Sequence, residues 1–351
     1  MPETLLSICI PTYNRLIELK VTLKFLLFEI EDNHLVNVEV IISDNCSDDG
    51  TLPYLEQLKV DHPCLNVNIN AENIGMIPNW KKAINLATGK YVWLLGSDDI
   101  IIPGTLPTLI RELQNHPDAH LFLLNNKIWF PQIDEYLNFD DRNFITTESA
   151  ICDDEDSFVP RVAMFVGKRV DLFTPIYLSI MKKKDWHNAL ELYDLEEPFF
   201  SSIYNSVPQA VYISKRLFDN EGVYIQSPAV LASYTVSWKS FASLYKCYYL
   251  PLLHDLWIKY GADHSTVNKS LKELMASTKF EHFRDLFIIN GQNLVYFDYF
   301  DFLRITYRYK RAYLFISYIL YLNLLRLIKL VPGVKLLASK VKFYRQRIKG
   351  E

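Results

Sequence analysis

Short apolar runs alternate with segments of helical periodicity over roughly the first 125 residues of the chain. The predicted strands are residues 6–10, 38–42, 65–69, 91–95 and 119–124, and the predicted helices are residues 15–29, 51–58, 78–87 and 103–115. Strands that alternate with helices in this way are typical of parallel sheets with right-handed crossovers. The pattern therefore predicts an α/β fold with a mostly parallel central sheet flanked by helices.

The chain changes character after the last of these strands. Residues 133–156 are acidic and lack periodicity, which predicts a loop or lid between two halves, or alternatively a solvated, disordered insert. Strand and helix patterns are mixed in residues 158–241, whereas residues 244–302 are largely helical. We therefore divide the sequence into a first half, a second half with the acidic loop, and a helical C-terminal region, which are residues 1–130, 131–243 and 244–351.

The composition is that of a globular protein with a high share of aromatic residues. Of the 351 residues, 50% are hydrophobic and 22% are charged, which suffices for one large core or two domains. The aromatic share of 14% suits a plain core, a sugar-stacking surface or a membrane interface. The five cysteines have no zinc or CxxC spacing and no signal peptide precedes the first strand, so we expect reduced thiols in the cytoplasm.

Polar residues follow the first four predicted strands at the point where each strand ends. Because ligands of open α/β sheets bind outside the carboxyl ends of the strands, we expect these residues to share a crevice. A tyrosine ring there can pack against a base, and a carboxylate can accept hydrogen bonds from its N–H groups. In chain order, the residues are Pro11, Thr12, Tyr13, Arg15, Asp44, Asn73, Gly75, Asn79, Ser97, Asp98 and Asp99.

The adjacent pair Asp98 and Asp99 is the most informative chemical feature. The pair follows the apolar strand 91–95 after Gly96 and Ser97. Two carboxylates held together repel each other, and a divalent cation relieves the repulsion; Mg²⁺ takes oxygen ligands and is usually completed by substrate phosphates. The pair predicts a metal-assisted enzyme acting on a phosphate-bearing substrate. The alternative is a polar loop in which Asp98 caps a helix and Asp99 is solvated.

Several other enzyme classes are excluded by missing motifs. The sequence contains no G-x-G-x-x-G after a strand and no G-x-x-x-x-G-K-[ST], which argues against dinucleotide binding and a P-loop. It contains no G-x-S-x-G nucleophile elbow, no H-E-x-x-H and no zinc-type cysteine spacing. A hydrolase triad on an α/β-hydrolase sheet and a zinc enzyme are therefore not supported.

The order of the strand-end motifs resembles that of family-two glycosyltransferases with the GT-A fold. The motifs are PTYNR, SDNCSDDGT, NIG, NW and ATGKYVWLLGSDD, and the phrase WLLGSDD is especially similar to the abequosyltransferase-type branch. The resemblance covers roughly the first 125 residues well. It implies transfer of a sugar with inversion, from a nucleotide-diphospho-sugar to a lipid-linked or oligosaccharide acceptor, in the biosynthesis of a bacterial surface polysaccharide such as a lipopolysaccharide O-antigen.

The resemblance also implies roles for individual residues. Asp98 and Asp99 match the DxD-type site for Mg²⁺ or Mn²⁺, although Gly96 stands where a full DxD has its first acid. Residues 1–130 would form the donor half and residues 131–243 the acceptor half. The implied nucleotide-sugar-binding residues are Pro11, Thr12, Tyr13, Arg15, Asp44, Asn73, Gly75, Asn79, Ser97 and Asp98.

The catalytic base is expected in the second half. The acceptor hydroxyl must lose its proton, and in similar enzymes the base follows the metal site by roughly ninety residues. The acids in that window are Glu191, Asp194, Glu196 and Glu197, of which Glu196 or Glu197 is the first choice and Asp194 the second. The alternative is a solvated helix end with surface acids. Gln209 lies roughly where relatives often have a histidine, and a structural role is the simpler interpretation.

The C-terminal segment is strongly basic. Residues 304–350 contain twelve Lys or Arg and no acid, and residues 312–325 are nearly all apolar. Because an apolar helix needs about 20 residues to span a bilayer, this pattern favours an in-plane helix on an anionic membrane. We therefore expect a cytoplasmic protein, peripheral on the inner face of the cell membrane, and no nucleic-acid partner. A nucleic-acid-binding tail and a packed core helix are the alternatives.

Two other functions are compatible with parts of the sequence. A catalytically silent GT-A-like module that binds sugar or acts as a scaffold would explain Gly96 in place of an acid. A nucleotidyltransferase on a similar sheet would need a glycine-rich phosphate loop after the first strand, and Pro11, Thr12 and Tyr13 do not provide one.

Overall fold

The computed structural model describes most of the chain up to residue 307. The described residues are 3–129, 135–136, 138–139, 157–169, 171, 173–233, 241–278, 282, 296–307, 309, 317 and 321. Most of the predicted acidic loop and of the basic C-terminal segment therefore lies outside the described residues.

One nine-stranded sheet forms the centre of the described molecule. Its strands are β1 (Leu6–Thr12), β2 (Val38–Asp44), β3 (Leu65–Ile69), β4 (Tyr91–Leu94), β5 (Ile100–Ile101), β6 (Leu121–Trp129), β7 (Ser157–Val159), β8 (Ser179–Lys182) and β9 (Gly222–Ser233). They lie in the order β3-β2-β1-β4-β8-β6-β9-β5, and β7 pairs with β9. Six strands share one direction while β5, β7 and β8 oppose them, which confirms the predicted mostly parallel sheet.

Helices connect these strands and follow them. They are α1 (Leu16–Asp32), α2 (Thr51–Asp61), α3 (Met76–Leu86), α4 (Thr105–Asn115), α5 (Lys183–Leu190), α6 (Pro208–Tyr212), α7 (Leu250–Lys259), α8 (His264–Ser277) and α9 (Tyr299–Thr306). A π-helical turn, Ile213–Leu217, continues α6, and a second one, Tyr245–Tyr249, leads into α7. The first four predicted helices are confirmed, with ends that differ by at most three residues.

The core lies between the first strands and the helices that cover them. Leu6, Ile8 and Ile10 of β1 are fully buried, and every residue of β4 is buried as well. In α1, Leu19 and Leu23 are fully buried one turn apart, as the helical spacing predicted. Full burial of such a side chain is worth about 1.5–3 kcal/mol, so this packing fixes the sheet whose strand ends carry the polar residues.

The first strand continues to Thr12, two residues beyond the predicted end at residue 10. The peptide nitrogen of Pro11 points toward β4, and the ladder between β1 and β4 has already ended at Cys9, opposite Leu94. The missing N–H of proline therefore costs no hydrogen bond there. Toward β2 the pairing continues to Thr12, opposite Asp44.

The middle of the sheet differs from a simple alternating pattern. β8 lies between β4 and β6 and runs antiparallel to both. β6 is longer than predicted and extends to Trp129, with register shifts around Asn125 against β9. Such a bulge interrupts the ladder and bends the strand, here at the level where the first strands end.

The region after residue 243 is helical where the structure describes it, as predicted. α7 packs against α8 and α9, and Arg304 of α9 forms an ion pair with Asp255 of α7 at 3.0 Å. Within the described ranges, no helix is both long and apolar enough to cross a membrane. The predicted apolar segment 312–325 lies outside the described residues apart from Ser317 and Tyr321.

Candidate functional site

The carboxyl ends of β1, β2 and β3 lie side by side, as the predicted crevice requires. Thr12 at the end of β1 pairs with Asp44 at the end of β2, and Asp44 pairs with Ile69 at the end of β3. Backbone hydrogen bonds of 2.9 Å extend these links, from Asn45 N–H to Thr12 O and from Asn70 N–H to Asp44 O. The residues predicted after these strands therefore share one rim.

Side-chain hydrogen bonds tie the loop after β1 to the loop after β2. The backbone N–H of Asn14 donates to Ser47 Oγ at 2.8 Å, and Asn14 Oδ1 accepts the N–H of Asp48 at 2.9 Å. Asn14 has a φ of 50°, in the left-handed region that asparagine tolerates. Tyr13, directly before Asn14, is 45% exposed, so its ring is accessible to a ligand.

Asp49 joins the first turns of α1 and α2. One carboxylate oxygen accepts the N–H of Leu16 at 2.9 Å, and the other accepts the N–H and hydroxyl of Thr51 at 3.1 and 2.6 Å. Burial opposes ionisation, but these hydrogen bonds outweigh it and lower the pKa of Asp49. The ionised carboxylate thus holds both loops in place, a role that the sequence analysis did not assign.

Asp44 and Thr12 are the buried polar residues at the base of this rim. Asp44 Oδ2 accepts the N–H of Ser47 at 3.0 Å, and Oδ1 accepts the Ser47 hydroxyl at 2.5 Å. Each carboxylate oxygen retains acceptor capacity for a ligand. Thr12 Oγ1 is buried and has no hydrogen-bond partner in the part of the chain that the structure describes. Because a buried unsatisfied hydroxyl is costly, this group is suited to bind a ligand or a water.

Asn79 supports the floor of the rim from the first turn of α3. Its Oδ1 accepts from Ser43 Oγ at 2.7 Å and from Asn70 Nδ2 at 2.8 Å, and its Nδ2 donates to Ser43 O at 2.9 Å. Asn79 is 3% exposed. Its amide is thus engaged by the protein, and its contact with a nucleotide stays a prediction.

Asn73 and Gly75 shape the turn between β3 and α3. Asn73 Oδ1 accepts from Asn45 Nδ2 at 2.7 Å and from the N–H of Gly75 at 3.0 Å. Gly75 has a φ of 88°, where any side chain would be strained. These contacts bring the N-terminus of α3 to the same rim.

Asp98 and Asp99 follow β4 at the next position along the sheet edge. Asp98 forms an ion pair with Arg15, the residue before α1. Burial lowers the pKa of Arg15, but the charge and hydrogen bond of Asp98 outweigh burial, so the pKa of Arg15 is raised. Asp99 is 4% exposed and accepts the N–H of Ser233 at 3.2 Å. Burial first, and then the charge of Asp98, raise the pKa of Asp99 well above its usual range. An ionised pair at this place therefore needs positive charge beyond that of Arg15.

Gly96 lets both carboxylates approach the same point. A Cβ at this position would lie 2.5 Å from Asp99 Oδ2 and 3.0 Å from Asp98 Oδ1. Glycine thus stands where a full DxD motif has an acid because the two following carboxylates occupy that space. Ser97, which completes the turn, is buried, and its carbonyl accepts from Thr22 Oγ1 of α1 at 3.1 Å.

Two residues that the sequence analysis did not single out contact the aspartate pair. The hydroxyl of Tyr136 donates to the backbone carbonyl of Asp98 at 3.0 Å, and Ser233 binds Asp99 as described. Trp129 links them, because it pairs with Ser233 and its ring packs against Tyr136 at a centroid distance of 4.8 Å. Tyr136 lies in a segment without periodicity and Ser233 meets the pair only through sheet pairing, so neither carries a local sequence signal.

The four acids predicted as base candidates lie in the loop after α5, which approaches α3. Glu191 forms an ion pair of 2.6 Å with Lys81 of α3, and this hydrogen bond lowers the pKa of Glu191. The loop and α3 border a cavity of about 410 Å³, and none of the predicted nucleotide-sugar or metal residues lines it. The four exposed acids are Glu191, Asp194, Glu196 and Glu197.

The comparisons with known proteins agree with the motif order. Residues 7–135 match the family model described as Glycosyl transferase family 2. This stretch contains β1 except for its first residue, all of β2 to β6, and every residue predicted at the four strand ends. Residues 7–135 are therefore a family 2 glycosyltransferase domain, as the resemblance predicted.

Two curated relatives extend the similarity. Over 241 residues, the chain is 27% identical to abequosyltransferase RfbV of Salmonella typhimurium, which covers 65% of this chain and 66% of that protein. Over 124 residues, it is 32% identical to the GalNAc(5)-diNAcBac-PP-undecaprenol beta-1,3-glucosyltransferase of Campylobacter jejuni, which covers 35% of this chain and 38% of that protein. The similarity thus spans just under two thirds of the first relative and well under half of the second.

Crystal structures of S. aureus TarS share the fold. One matches with a TM-score of 0.55 at 16% identity, covering 85% of this chain and 50% of that one. The TarS 1-349 complex with UDP-GlcNAc matches with a TM-score of 0.51 at 17% identity, covering 81% of this chain and 80% of that one. At this identity the likeness concerns the fold, and it confirms the predicted GT-A architecture.

Proposed function

We propose that this protein transfers a sugar from a nucleotide-diphospho-sugar to a saccharide acceptor in the assembly of a bacterial surface polysaccharide. The observation that carries the proposal is the convergence of Asp98 and Asp99 over Gly96, beside the rim formed by β1 and β2 within a family 2 domain. The names of the relatives, an abequosyltransferase and a glucosyltransferase, support this class of reaction.

In this proposal the rim after β1 and β2 binds the nucleotide. The exposed ring of Tyr13 stacks on the base, and Asp44 accepts an N–H of the base with its remaining acceptor capacity. The unpartnered Thr12 hydroxyl supplies a further hydrogen bond to the nucleotide. Arg15 places a guanidinium next to Asp98 and thus beside the diphosphate.

A divalent cation, Mg²⁺ or Mn²⁺, fits the donor atoms at the end of β4. Asp98 and Asp99 would hold it with carboxylate oxygens, and the crowding over Gly96 leaves no room for a third acid at that position. No group of three or more candidate ligands occurs among the described residues, and Mg²⁺ is commonly held by one or two carboxylates plus substrate phosphates. When bound, the ion would offset the charge that develops on the departing diphosphate.

We infer that transfer inverts the anomeric centre by direct displacement. The acceptor hydroxyl oxygen forms the new bond to the anomeric carbon while the bond from that carbon to the diphosphate oxygen breaks. The hydroxyl proton passes to a carboxylate base, and the nucleoside diphosphate leaves with the bonding electrons. This scheme rests on the family resemblance and requires one base on the acceptor side.

One amide variant among the acids of residues 191–197 is expected to lose turnover by about 100-fold or more while still binding the donor, because only proton removal is affected. Glu196→Gln and Glu197→Gln are the first variants to test, followed by Asp194→Asn. The hydrogen bond from Lys81 lowers the pKa of Glu191, which disfavours it as a base, so Glu191→Gln is tested last. Steady-state turnover and donor titration measure the two effects.

The matched control is Glu273→Gln on the exposed face of α8, which should leave both quantities unchanged. Retained turnover in all four amide variants would place the base outside this loop.

We propose further that the acceptor is lipid-linked and that residues 304–351 bind the anionic inner face of the cell membrane. The undecaprenol-linked saccharide in the name of the Campylobacter relative supports the first part. Twelve basic residues without an acid up to residue 350 support the second. Phe300 and Tyr307 of the α9 region are 84% and 52% exposed, directly before and within the start of this segment.

Binding to vesicles with anionic lipid is expected to fall with added salt without vanishing, because salt screens charge over a Debye length of about 8 Å but not apolar insertion. Flotation of the full chain with anionic and with neutral vesicles measures this. A chain ending at Tyr309, after α9, should keep nucleotide binding and lose vesicle binding. Equal flotation of both chains, or none for the full chain, would contradict the membrane role.

The proposed activity is tested with a thermal-shift screen of UDP, GDP, CDP and dTDP, with and without Mg²⁺ or Mn²⁺, followed by hydrolysis assays with the matching nucleotide sugars. A ligand of the native state raises its melting temperature by mass action. An active transferase should bind one nucleotide and slowly hydrolyse its sugar conjugate. A catalytically silent sugar-binding or scaffold module would bind without hydrolysis, and no binding at all would reject the proposal.

Asp44→Asn is expected to weaken binding of the stabilising nucleotide by about 1–3 kcal/mol, the cost of leaving a buried polar group of the ligand without its acceptor. Calorimetric titration measures the loss. Asn can still accept the Ser47 N–H, so the loop should remain folded. Asp48→Asn, on the exposed side of the same loop, is the control. Equal nucleotide affinity in both variants would remove Asp44 from the binding site.

A further inference from the structure

A second polar cluster, outside the residues proposed for the donor site, is formed by Arg169, Asp171 and Asn126. Arg169 donates two hydrogen bonds to the two carboxylate oxygens of Asp171, at 2.5 and 3.2 Å. A third hydrogen bond joins Arg169 Nη1 to Asn126 Oδ1 at 2.8 Å. The Arg169 and Asp171 side chains are 15% and 26% exposed. This arrangement is a bidentate pair that is mostly removed from water yet open on the carboxylate side.

The cluster stands at the same end of the sheet as the aspartate pair. Asn126 lies on β6 next to the register shift against β9, at the level where the first strands end. The turn Ile176–Leu178 contacts both β4 and β6, and Tyr177 in this turn accepts the indole N–H of Trp93 of β4 with its carbonyl at 2.9 Å. Burial is the main reason that the pKa of Tyr177 is raised, and the charges of Asp99 and Asp171 raise it further. Its hydroxyl is therefore within the field of both carboxylates.

Several hydrogen bonds join Thr174 to Asp171 and to residues of other elements. The hydroxyl of Thr174 donates to the carbonyl of Asp171 at 2.6 Å and lies 2.5 Å from the hydroxyl of Tyr245. Gln209 Nε2 donates to the carbonyl of Thr174 at 2.7 Å, and Gln209 Oε1 is buried without a partner in the described part of the chain. Phe173, in the same turn, has a φ of 71°, which is strained for an aromatic residue. Strain and an unsatisfied acceptor are typical of binding sites rather than of plain structural turns.

The chemistry of the cluster suits hydroxyl groups. The guanidinium fork fixes the direction of the Asp171 carboxylate, whose remaining lone pairs are strong acceptors for a ligand. A fixed carboxylate with an accessible edge can accept hydrogen bonds from two neighbouring hydroxyls. The half-buried tyrosine beside it adds an apolar ring face. An anion would be repelled by Asp171, and a cation would be repelled by Arg169.

We propose that Arg169, Asp171, Asn126 and Tyr177 form the subsite for the acceptor sugar, with Asp171 accepting hydrogen bonds from its hydroxyls and Arg169 positioning Asp171. The proposal rests on the proposed function and adds to it the residues that select the acceptor. It places the acceptor between the aspartate pair and β6, on the side of β4 opposite to the nucleotide rim.

The test uses the full chain together with the one nucleotide, UDP, GDP, CDP or dTDP, that stabilises it in the thermal-shift screen. The probes are the methyl glycosides of galactose, mannose, rhamnose and N-acetylglucosamine. Their binding is measured by saturation-transfer NMR. The variants are Asp171→Asn and Arg169→Lys, which keep size but remove the charge or the fork. The matched controls are Asp219→Asn and Arg161→Lys, because Arg161 and Asp219 form an exposed pair of the same kind at 2.5 Å.

The wild type and both controls should show saturation transfer to at least one glycoside. Both cluster variants should weaken that binding by about tenfold or more, the scale of one lost charge-assisted hydrogen bond. Nucleotide affinity should stay within about twofold in all proteins, and melting temperatures report whether each variant is folded. Arg169→Lys should retain more glycoside binding than Asp171→Asn, because lysine keeps a charge beside Asp171.

Several results would overturn the proposal. One is glycoside binding that is equal in cluster and control variants. A second is the absence of glycoside binding by the wild type while it binds a nucleotide. A third is parallel loss of nucleotide and glycoside binding in a folded cluster variant, which would make the cluster a support of the donor rim. Absence of nucleotide binding by the wild type would instead reject the proposed function, and glycoside binding would then still be measurable.

Discussion

Asp98→Asn and Asp99→Asn are each expected to reduce sugar transfer by about 100-fold or more, because each removes a carboxylate that would hold the cation, and the cation would offset the charge of the departing diphosphate. Both substitutions preserve the size of the side chain. Asp99→Asn should unfold at the same or a higher temperature than the wild type. Burial and the charge of Asp98 raise the pKa of Asp99, so its ionised form costs stability at neutral pH. Product formation and melting temperature measure the two effects.

A matched control and a geometric variant sharpen this test. Asp219→Asn removes an exposed carboxylate and should leave turnover intact. Gly96→Ala keeps both charges but places a Cβ 2.5 Å from Asp99 Oδ2, so the carboxylates must shift and turnover should fall. Near-wild-type transfer by both aspartate variants would show that the pair does not serve the reaction.

A loss of stability in mild acid is expected from His254. It is fully buried between α7 and α8, with Nδ1 2.7 Å from Leu250 O and Nε2 2.9 Å from Ser270 Oγ. Burial is the main reason that its pKa is lowered from 6.5 to about 4. Above pH 6.5 the ring is neutral in both states; between 6.5 and 4 the unfolded chain takes up the proton first, which destabilises the fold. Over this window the loss amounts to about 3 kcal/mol.

Urea unfolding at about pH 7.5 and about pH 5 measures this contribution. In a His254→Gln variant the drop in unfolding free energy between the two values should be smaller than in the wild type by about 2 kcal/mol. The comparison within each protein cancels any constant cost of the substitution. His34→Gln, at an exposed position before β2, is the control and should retain the wild-type pH dependence. Equal pH dependence in wild type and His254→Gln would contradict the assignment.

The first half of the fold was accessible from the sequence because its elements are local. The apolar runs that became β1 to β4 and the periodic segments that became α1 to α4 carry their own signals. The position of β8 between β4 and β6 was not accessible, because it depends on pairing between residues about 90 positions apart, which periodicity does not encode. The extension of β1 past Pro11 likewise depends on where its neighbour ends.

The site divides in the same way. Thr12 and Asp44 are the last residues of their strands and the aspartate pair follows β4, so the rule about carboxyl ends placed them at one sheet edge. The Asp49 carboxylate that ties two helices and the Tyr136 hydroxyl that contacts Asp98 depend on loop conformation and tertiary packing. The predicted base acids follow no strand end, and only their spacing from the predicted metal site, by family resemblance, suggested them. Their role stays a prediction.

The central strand β8 lies outside the matched family domain. The matched family domain ends at residue 135, whereas β8 consists of Ser179–Lys182 and fills the gap between β4 and β6. A polypeptide cut at the family boundary would contain both neighbours but not the strand between them. β4 would be left with one bare edge, and β6 would lose both of its partners because β9 is absent as well. Unpaired N–H and C=O groups of this kind recruit other chains into intermolecular sheets. The boundary of the homologous domain is thus not a boundary of independent folding, and shortened fragments should precipitate.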